Sequence, residues 1–269
     1  MIFNNQRSDE AVVGECCADF YSHPLVVRLL DGVFHPGGLA LTSLLADKMG
    51  IDHSSHVLDL ACGDGTTAVF LSQRFGCTVT GLDIGTDLIE RAKRKTQDLK
   101  ASDRVSFSTG LAGSLPFEDG EFTHVISECA ICTFYDKKSA ATEVSRVVQN
   151  EGILGISDVT LSNHDDLDDE LKGLLGRVAC VADALPFSGY VELFEDAGFK
   201  LKDSTLHGDL LHDMTVKVRN RVNLSRAALS DDDRCLVERR DDVLRVLNLI
   251  ERQIASRNLS YDVFVFRSV

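Results

Sequence analysis

From His56 onward the sequence alternates short apolar stretches with amphipathic ones, and this alternation constrains the fold more than any other feature. The apolar stretches have the length of buried strands, and the stretches between them carry apolar residues at helical spacing. Strands and helices that alternate in this way form parallel βαβ units with right-handed crossovers. We therefore predict an α/β fold with a mostly parallel, seven-stranded sheet.

The same pattern predicts the position of each element. Strands are expected near 56–60, 78–82, 105–109, 123–128, 153–158, 199–206 and 261–266. Helices are expected near 66–75, 86–99, 138–148, 189–197, 209–228 and 231–256, with a helical insertion at 165–182. The last strand is expected to complete the sheet as an antiparallel member.

The residues before the first strand also have helical character. Apolar residues recur at helical spacing over 11–50, with a break at Pro36, Gly37 and Gly38 and a new helix from Leu39 to Met49. We predict that this segment forms a mobile helical lid. The chain then divides into the lid (1–55), a core that binds the ligand (56–160), and helical insertions with the closing strands (161–269).

Charge and leader patterns narrow the function classes. Acidic residues number 42 against 28 basic ones, giving a net charge of -14, which disfavours nucleic acids and anionic lipid surfaces as partners. The N-terminus lacks the layout of a signal peptide, and no apolar run is long enough to span a membrane. We expect a cytoplasmic protein whose eight cysteines are reduced thiols. Nothing in the sequence indicates the oligomeric state.

A glycine turn after the first predicted strand indicates a nucleotide-type ligand. The strand runs through Asp59 and Ala61 into Gly63 and Gly65, and a helix follows directly. Glycines allow the backbone to turn tightly beside a helix N-terminus, and Asp83, 20 residues after Gly63, is placed to accept ribose hydroxyls. The pattern suits an oxidoreductase that binds a dinucleotide or a methyltransferase. The turn lacks the third glycine expected for a diphosphate, which favours a ligand without one.

Longer motifs make a resemblance specific. Residues 56–159 resemble the class I S-adenosylmethionine-dependent methyltransferases, with 59–65 matching their first motif and 82–84 their second. Residues 114–122 match the loop and strand that follow the third strand. The resemblance implies a Rossmann-like fold, S-adenosyl-L-methionine as the cofactor, and transfer of a methyl group to a small molecule.

The resemblance also implies the contacts of the cofactor. Gly63 and Gly65 would face its methionine part, Asp83 its ribose, and Leu111 and Ala112 its adenine. Many relatives carry an acidic residue where Leu111 stands, so backbone groups and apolar contacts would hold the adenine here. The full implied set is Asp59, Ala61, Gly63, Gly65, Asp83, Ile84, Leu111, Ala112 and Glu128.

Two cysteines point to the methyl acceptor. Cys129 ends the fourth predicted strand, at the carboxyl edge where open α/β sheets bind ligands, and Cys180 lies in the insertion expected to cover that edge. This pair resembles the arsenite methyltransferases, whose cysteines gather trivalent arsenic, and that resemblance implies Cys16 or Cys17 as a third thiol. The branch usually has Asn where Glu128 stands. We predict that Cys62, Cys77 and Cys235 are structural, and no spacing of His and Cys predicts a metal site.

Three function classes stay open. The first is a methyltransferase acting on a soft, thiol-seeking acceptor such as trivalent arsenic, because thiolates select soft centres. The second is a methyltransferase acting on carbon, nitrogen or oxygen of a small metabolite, for which His23, His35 or Glu128 would accept a proton, with Tyr21 lining the acceptor pocket. The third is a non-catalytic binder of S-adenosylmethionine that senses thiols.

Overall fold

The computed structural model of the chain describes residues 34–173, 176–177, 179–225 and 234–269. The predicted lid residues Cys16, Cys17, Tyr21 and His23 lie outside these ranges. Within the described ranges, no helix combines the length and the apolar character needed to cross a membrane.

Seven strands form one sheet in the order β3-β2-β1-β4-β5-β7-β6. All neighbours pair in parallel except β7, which runs antiparallel to both β5 and β6. The strands are β1 (His56–Leu60), β2 (Thr78–Asp83), β3 (Val105–Thr109), β4 (Phe122–Glu128), β5 (Val148–Leu161), β6 (Phe199–Leu206) and β7 (Leu259–Ser268). The predicted mostly parallel sheet with an antiparallel closing strand is confirmed.

The helices of the described residues flank this sheet on both faces. They are α1 (Gly38–Met49), α2 (Thr66–Phe75), α3 (Thr86–Asp98), α4 (Lys137–Val147), α5 (Phe187–Asp196), α6 (Gly208–Ser225) and α7 (Arg234–Ala255). Buried side chains of α1, α2, α3, α6 and α7 pack on one face, and those of α4 and α5 pack on the other. The fold is thus the three-layer arrangement expected for βαβ units.

Helix α1 lies close to the sheet because of a glycine in β5. A Cβ atom on Gly155 would come within 2.9 Å of Met49 Cγ and 3.0 Å of Leu45 Cδ1, both on α1. The small residue therefore lets α1 approach the centre of the sheet. This contact fixes the position of the residues at the start of α1, which reach the carboxyl edge of the sheet.

Two predicted elements differ from the structure. Strand β5 begins at Val148 rather than near 153, because its pairing with β4 continues across an irregularity between Phe122 and His124. Three of the extra residues, 149–151, are polar and exposed, and Glu151 adopts the left-handed region (φ 64°), so the sequence pattern hides the start of the strand. The insertion predicted as helical at 165–182 is helical only in part: its described residues contain turns, a short 3₁₀ helix at Asp169–Lys172 and α-helical residues at 176–177.

Candidate active site

A large cavity opens at the carboxyl ends of β1, β2 and β4. The space inside it has a volume of about 180 Å³, and it is open to solvent at its mouth. Its walls come from the β1–α2 turn, the ends of β2 and β4, the loop after β3, and the segment before α1. The cavity is therefore a concave site assembled from separate elements at the edge where open α/β sheets bind ligands.

Most of the predicted cofactor residues line this cavity. The structure brings Asp59, Ala61, Gly63, Asp83, Ile84, Leu111, Ala112 and Glu128 into its walls, although they come from four separate parts of the chain. Gly65 is the exception. A Cβ atom there would lie 2.6 Å from Phe107 Cζ and 2.8 Å from Ala92 Cβ, so this glycine allows close packing of the turn on β3 and α3, and it does not line the cavity.

The β1–α2 turn has an unusual backbone. Ala61 (φ 60°), Gly63 (φ 54°) and Gly65 (φ 75°) all adopt the left-handed region, which L side chains rarely occupy. Ala61 is not a glycine, and such non-glycine outliers cluster at ligand sites. The turn presents backbone groups of 61–64 to the cavity at the N-terminus of α2.

Asp83 ties this turn to β2. One of its carboxylate oxygens accepts from Gly63 N at 2.9 Å, and the other accepts from Gly85 N at 2.8 Å. Burial raises the pKa of Asp83, and the hydrogen bonds from Gly85 and Gly63 act in the opposite direction. Ile84 N is a third backbone donor to this carboxylate. Since a carboxylate has about four acceptor positions, acceptor capacity remains for a hydroxyl group of a ligand.

Asp59 has an oxygen with no partner among the described residues. The carboxyl group accepts a hydrogen bond from Ala68 N, but its Oδ2 atom is fully buried and unpaired. Burial raises the pKa of Asp59, and the nearby carboxylates Glu128 and Asp83 raise it further. Buried polar atoms are nearly always paired, so this oxygen leaves Asp59, which borders the cavity, with a free acceptor position.

The loop after β3 forms an apolar wall. Leu111 is 39% exposed and lies on this wall with Ala112, opposite Ile84. The following segment is held by Arg146, which donates to Leu115 O at 3.0 Å and to Phe117 O at 2.7 Å. As the sequence indicates, position 111 contributes an apolar side chain to this wall and no carboxylate.

Glu128 is the polar centre at the other end of the cavity. Its carboxylate accepts hydrogen bonds from Thr42 Oγ1 at 3.0 Å and from Thr67 Oγ1 at 2.8 Å. His35 Nε2 lies 3.5 Å from Glu128 Oε2, and both side chains are more than nine-tenths buried. Four residues from α1, its preceding segment, α2 and β4 thus converge on one point of the cavity wall.

The contacts of His35 direct its two ring nitrogens to different partners. Its Nδ1 lies 3.2 Å from Pro36 O, and because a carbonyl can only accept, Nδ1 donates in this contact. Nε2 faces Glu128 and Thr42. A carboxylate and an imidazole nitrogen thus lie side by side at the cavity, and both residue types can accept a proton from a ligand.

The cysteines are arranged differently from the prediction. Cys129 lines the cavity in the left-handed region (φ 54°), but Cys180 is buried behind it and is not part of the wall. The Cys180 thiol donates to Cys129 O at 3.5 Å. Cys132, which the sequence places in a Cys-x-x-Cys spacing with Cys129 that is only weak evidence for metal or redox chemistry, is in hydrogen-bond contact with both thiols. The predicted closeness of Cys129 and Cys180 is therefore observed, whereas their shared exposure to the cavity is wrong.

Asp158 lies beneath these thiols. It accepts from Cys132 N at 3.0 Å and from Val159 N at 2.7 Å, which anchors the turn after β4. Burial, with a further contribution from Cys180, raises the pKa of Asp158 to about 7. Cys62 and Cys77 are both buried, as expected of structural residues, although Cys62 also borders the cavity.

Sequence reasoning missed the partners of Glu128. Thr67 is the second residue of α2, directly after the glycine turn, and that position could have identified it as a residue of the cavity. Thr42 carries no comparable signal, because it is 86 residues from Glu128 in sequence and meets it only where α1 packs on β5. Phe34 lines the cavity and lies over Gly63, but no motif contains it.

Comparisons with known proteins agree with this geometry. A family model described as a methyltransferase domain matches residues 51–198, more than half of the chain. The chain is 27% identical over 171 residues to the methyltransferase GfsG of Streptomyces halstedii, covering 62% of this chain and 61% of that protein. It is 30% identical over 125 residues to the ubiquinone/menaquinone biosynthesis C-methyltransferase UbiE of Citrifermentans bemidjiense, covering 45% and 53%. The chain thus spans little more than half the length of these relatives.

A solved structure shares the whole fold. The phosphoethanolamine N-methyltransferase 2 of Haemonchus contortus, solved with S-adenosylhomocysteine and with S-adenosylmethionine, superposes with a TM-score of 0.80. The match covers 99% of this chain and 61% of that chain at 17% identity. The similarity extends beyond the sheet to the flanking helices.

Proposed function

This chain belongs to the methyltransferase domain family, and on that premise we propose that it transfers a methyl group from S-adenosylmethionine to an oxygen or carbon atom of a small metabolite. The observation that carries the choice of acceptor is Glu128, which lies on the cavity wall with His35 beside it. An acceptor atom that bears a proton requires such a base, whereas a soft ion with a free lone pair does not.

The residues of the β1–β2 end fit the cofactor. Unpaired Asp59 Oδ2 suits the ammonium group of its methionine part, and the free acceptor positions of Asp83 suit its ribose hydroxyls. Leu111 and Ile84 offer apolar contacts for a flat base. When bound, S-adenosylmethionine supplies an electrophilic methyl group on a positively charged sulfur.

Glu128 would act on the acceptor. Its carboxylate accepts the proton of a hydroxyl or acidic C–H group as that atom attacks the methyl group, and the proton stays on Glu128 until solvent removes it. Thr42 and Thr67 orient the carboxylate by donating to it, and His35 Nε2 offers a second acceptor for the same proton. A positioned base of this kind contributes roughly 10²- to 10⁴-fold to a rate.

A trivalent, thiophilic ion such as arsenite is the second candidate acceptor, and the contact between Cys129, Cys132 and Cys180 favours it. Two observations weigh against it. The hydrogen bond with Cys132 acts to lower the pKa of Cys129, but the hydrogen bond with Cys180 and burial raise it overall, and a soft ion needs thiolates. Among the described side chains, no group of three His, Cys, Asp or Glu is arranged to hold a metal ion.

The test is transfer of labelled methyl from S-adenosylmethionine to a panel of phenols, β-dicarbonyl compounds and arsenite. We expect label in at least one oxygen or carbon acceptor, with release of S-adenosylhomocysteine, and none in arsenite. Cys180→Ser should retain this transfer. Labelling of arsenite that is lost in both Cys129→Ser and Cys180→Ser would instead establish the thiophilic acceptor.

A further inference from the structure

Carboxylates line the cavity at several places. Asp59 lies one residue before the end of β1, Asp83 ends β2, Glu128 ends β4, and Asp136 stands at the N-terminus of α4, so the four come from four elements. All of them line the cavity. The cofactor end and the acceptor end therefore carry the same sign of charge.

The partners of the acids in the wall differ. Asp64, a fifth acid of the wall, forms an ion pair with Lys95 (Oδ2 to Nζ, 2.5 Å) that balances its charge. Asp83 and Asp136 are held by backbone N–H groups and, for Asp136, by the hydroxyl of Ser139. Such donors orient a carboxylate but do not cancel its charge.

The remaining two acids lie at the centre of the cavity. Glu128 accepts from two threonine hydroxyls, and Asp59 Oδ2 is buried with no partner among the described residues. His35 is the only side chain that can become positive among the described residues of the wall. No cationic side chain among the described residues of the wall pairs with either of these two acids, apart from His35 beside Glu128.

We propose that this cavity selects methyl acceptors that carry no negative charge, and excludes those bearing a carboxylate or phosphate group. The inference rests on the proposed function and specifies its substrate class. A low-dielectric wall concentrates the field of its charges in the cavity, so an anion is repelled by carboxylates on several sides at once. The cofactor has one net positive charge, which offsets only part of this field.

The selection also explains why the site has a base. A substrate that entered the cavity as a phenolate or enolate anion would need no base to remove its proton. The acidic wall, however, disfavours the entry of such an anion. A neutral hydroxyl or C–H acid can enter, and Glu128 then takes its proton at the moment of attack. The charge of the wall and the presence of a base are therefore consistent with each other, because the substrate enters in its neutral form and loses its proton during methyl transfer.

The experiment compares matched acceptors that differ in one group. First, binding of S-adenosylmethionine and turnover of a neutral acceptor are established, and failure at this stage counts against the proposed function itself. The neutral acceptor is then compared with its analogue carrying a carboxylate away from the reacting atom and with a methyl ester of that analogue. We expect kcat/KM for the carboxylate to be at least about tenfold lower, and the ester to recover most of the loss.

Two further measurements separate charge from shape. Raising the salt concentration should narrow the difference between carboxylate and ester, because salt screens charges near the mouth of the cavity. Asp136→Ser removes a carboxylate while keeping a residue that caps α4 well, and it should narrow the difference by about two- to threefold. Equal or faster turnover of the carboxylate analogue, with the neutral acceptor active, would overturn the inference and leave the proposed function intact.

Discussion

The two ends of the cavity are built in different ways. At the β1–β2 end, the groups that line the cavity belong to one turn and to Asp83, whose carboxylate accepts hydrogen bonds from the backbone N–H groups of Gly63 and Gly85. At the β4 end, Glu128 is held by side chains of Thr42 and Thr67, 86 and 61 residues away in sequence. The first end is a local backbone motif, and the second is an assembly of distant side chains.

This difference separates a general function from a specific one. A backbone motif binds the same cofactor in any chain that folds through it, since it depends on glycines and one acid more than on neighbouring side chains. An assembly of side chains changes with any of its members, so it sets which acceptor reacts. The predictions below test this division, in order of decreasing expected effect.

Glu128→Gln should separate the two ends most clearly. The amide cannot accept the acceptor's proton, so kcat should fall by about 10²- to 10⁴-fold while the Kd of S-adenosylmethionine changes by less than about threefold. Steady-state kinetics and calorimetry measure the two quantities. Glu195→Gln, at an exposed position on α5, is the matched control and should change neither. Unchanged kcat in Glu128→Gln would remove the base from the mechanism.

The sequence predicts the first end far better than the second. The sequence pattern predicts the bounds of every strand to within a few residues, except the start of β5. It also predicts the glycine turn and Asp83 as one site, because their residues are close in sequence or end neighbouring strands. The resemblance predicts that Gly65 contacts the ligand, because a motif shows that a position requires glycine but does not show the reason. Its reason is contact with Phe107, which only the three-dimensional structure reveals.

The second end could be predicted only in part. Glu128 and His35 were candidates from their positions, but their contact depends on α1 packing against Gly155. Cys180 was expected in the cavity because its insertion covers the sheet edge. Its side chain instead points to Cys129 O, and no periodicity encodes that direction in a loop. Side-chain convergence across long sequence separations is the information that one sequence lacks.

Gly65→Ala should damage the backbone motif. The substitution combines strain at φ 75° with a Cβ atom 2.6 Å from Phe107, so the free energy of unfolding should fall by about 2–4 kcal/mol. Gly50→Ala is a close control, since Gly50 has the same φ of 75° but no atom within 4 Å of the added Cβ. It should lose only about 1–2 kcal/mol in urea unfolding. If Gly65→Ala and Gly50→Ala lost the same free energy of unfolding, the contact of the added Cβ atom with Phe107 would contribute nothing to the destabilisation.

Asp158→Asn should change how stability depends on pH at the β4 end. The pKa of Asp158 in the folded protein, about 7, lies above its unfolded value of 3.8. The folded state therefore holds a proton that the unfolded state has lost, and the free energy of unfolding falls as pH rises through this interval. Between about pH 5 and about pH 8 this group alone should remove about 2–3 kcal/mol.

The measurement is urea unfolding of the native protein and Asp158→Asn at both pH values. The variant has no titrating group at 158, so its free energy of unfolding should fall between the two pH values by about 2–3 kcal/mol less than that of the native protein. Asp98→Asn, at an exposed position on α3, should keep the native pH dependence. Parallel curves for the native protein and Asp158→Asn would contradict the raised pKa.

Asp83→Asn should weaken cofactor binding and leave the acceptor end intact. An amide keeps one oxygen for Gly63 N or Gly85 N but loses the charge and one acceptor for the ribose, so the Kd of S-adenosylmethionine should rise about 10- to 100-fold, or about 1.5–3 kcal/mol. At saturating cofactor, kcat should stay within about threefold of the native value, because Glu128 and its threonines are untouched. A loss of kcat as large as that of Glu128→Gln, with unchanged cofactor affinity, would mean that the two ends do not act separately. The division between a backbone motif for the cofactor and a side-chain assembly for the acceptor would then have to be abandoned.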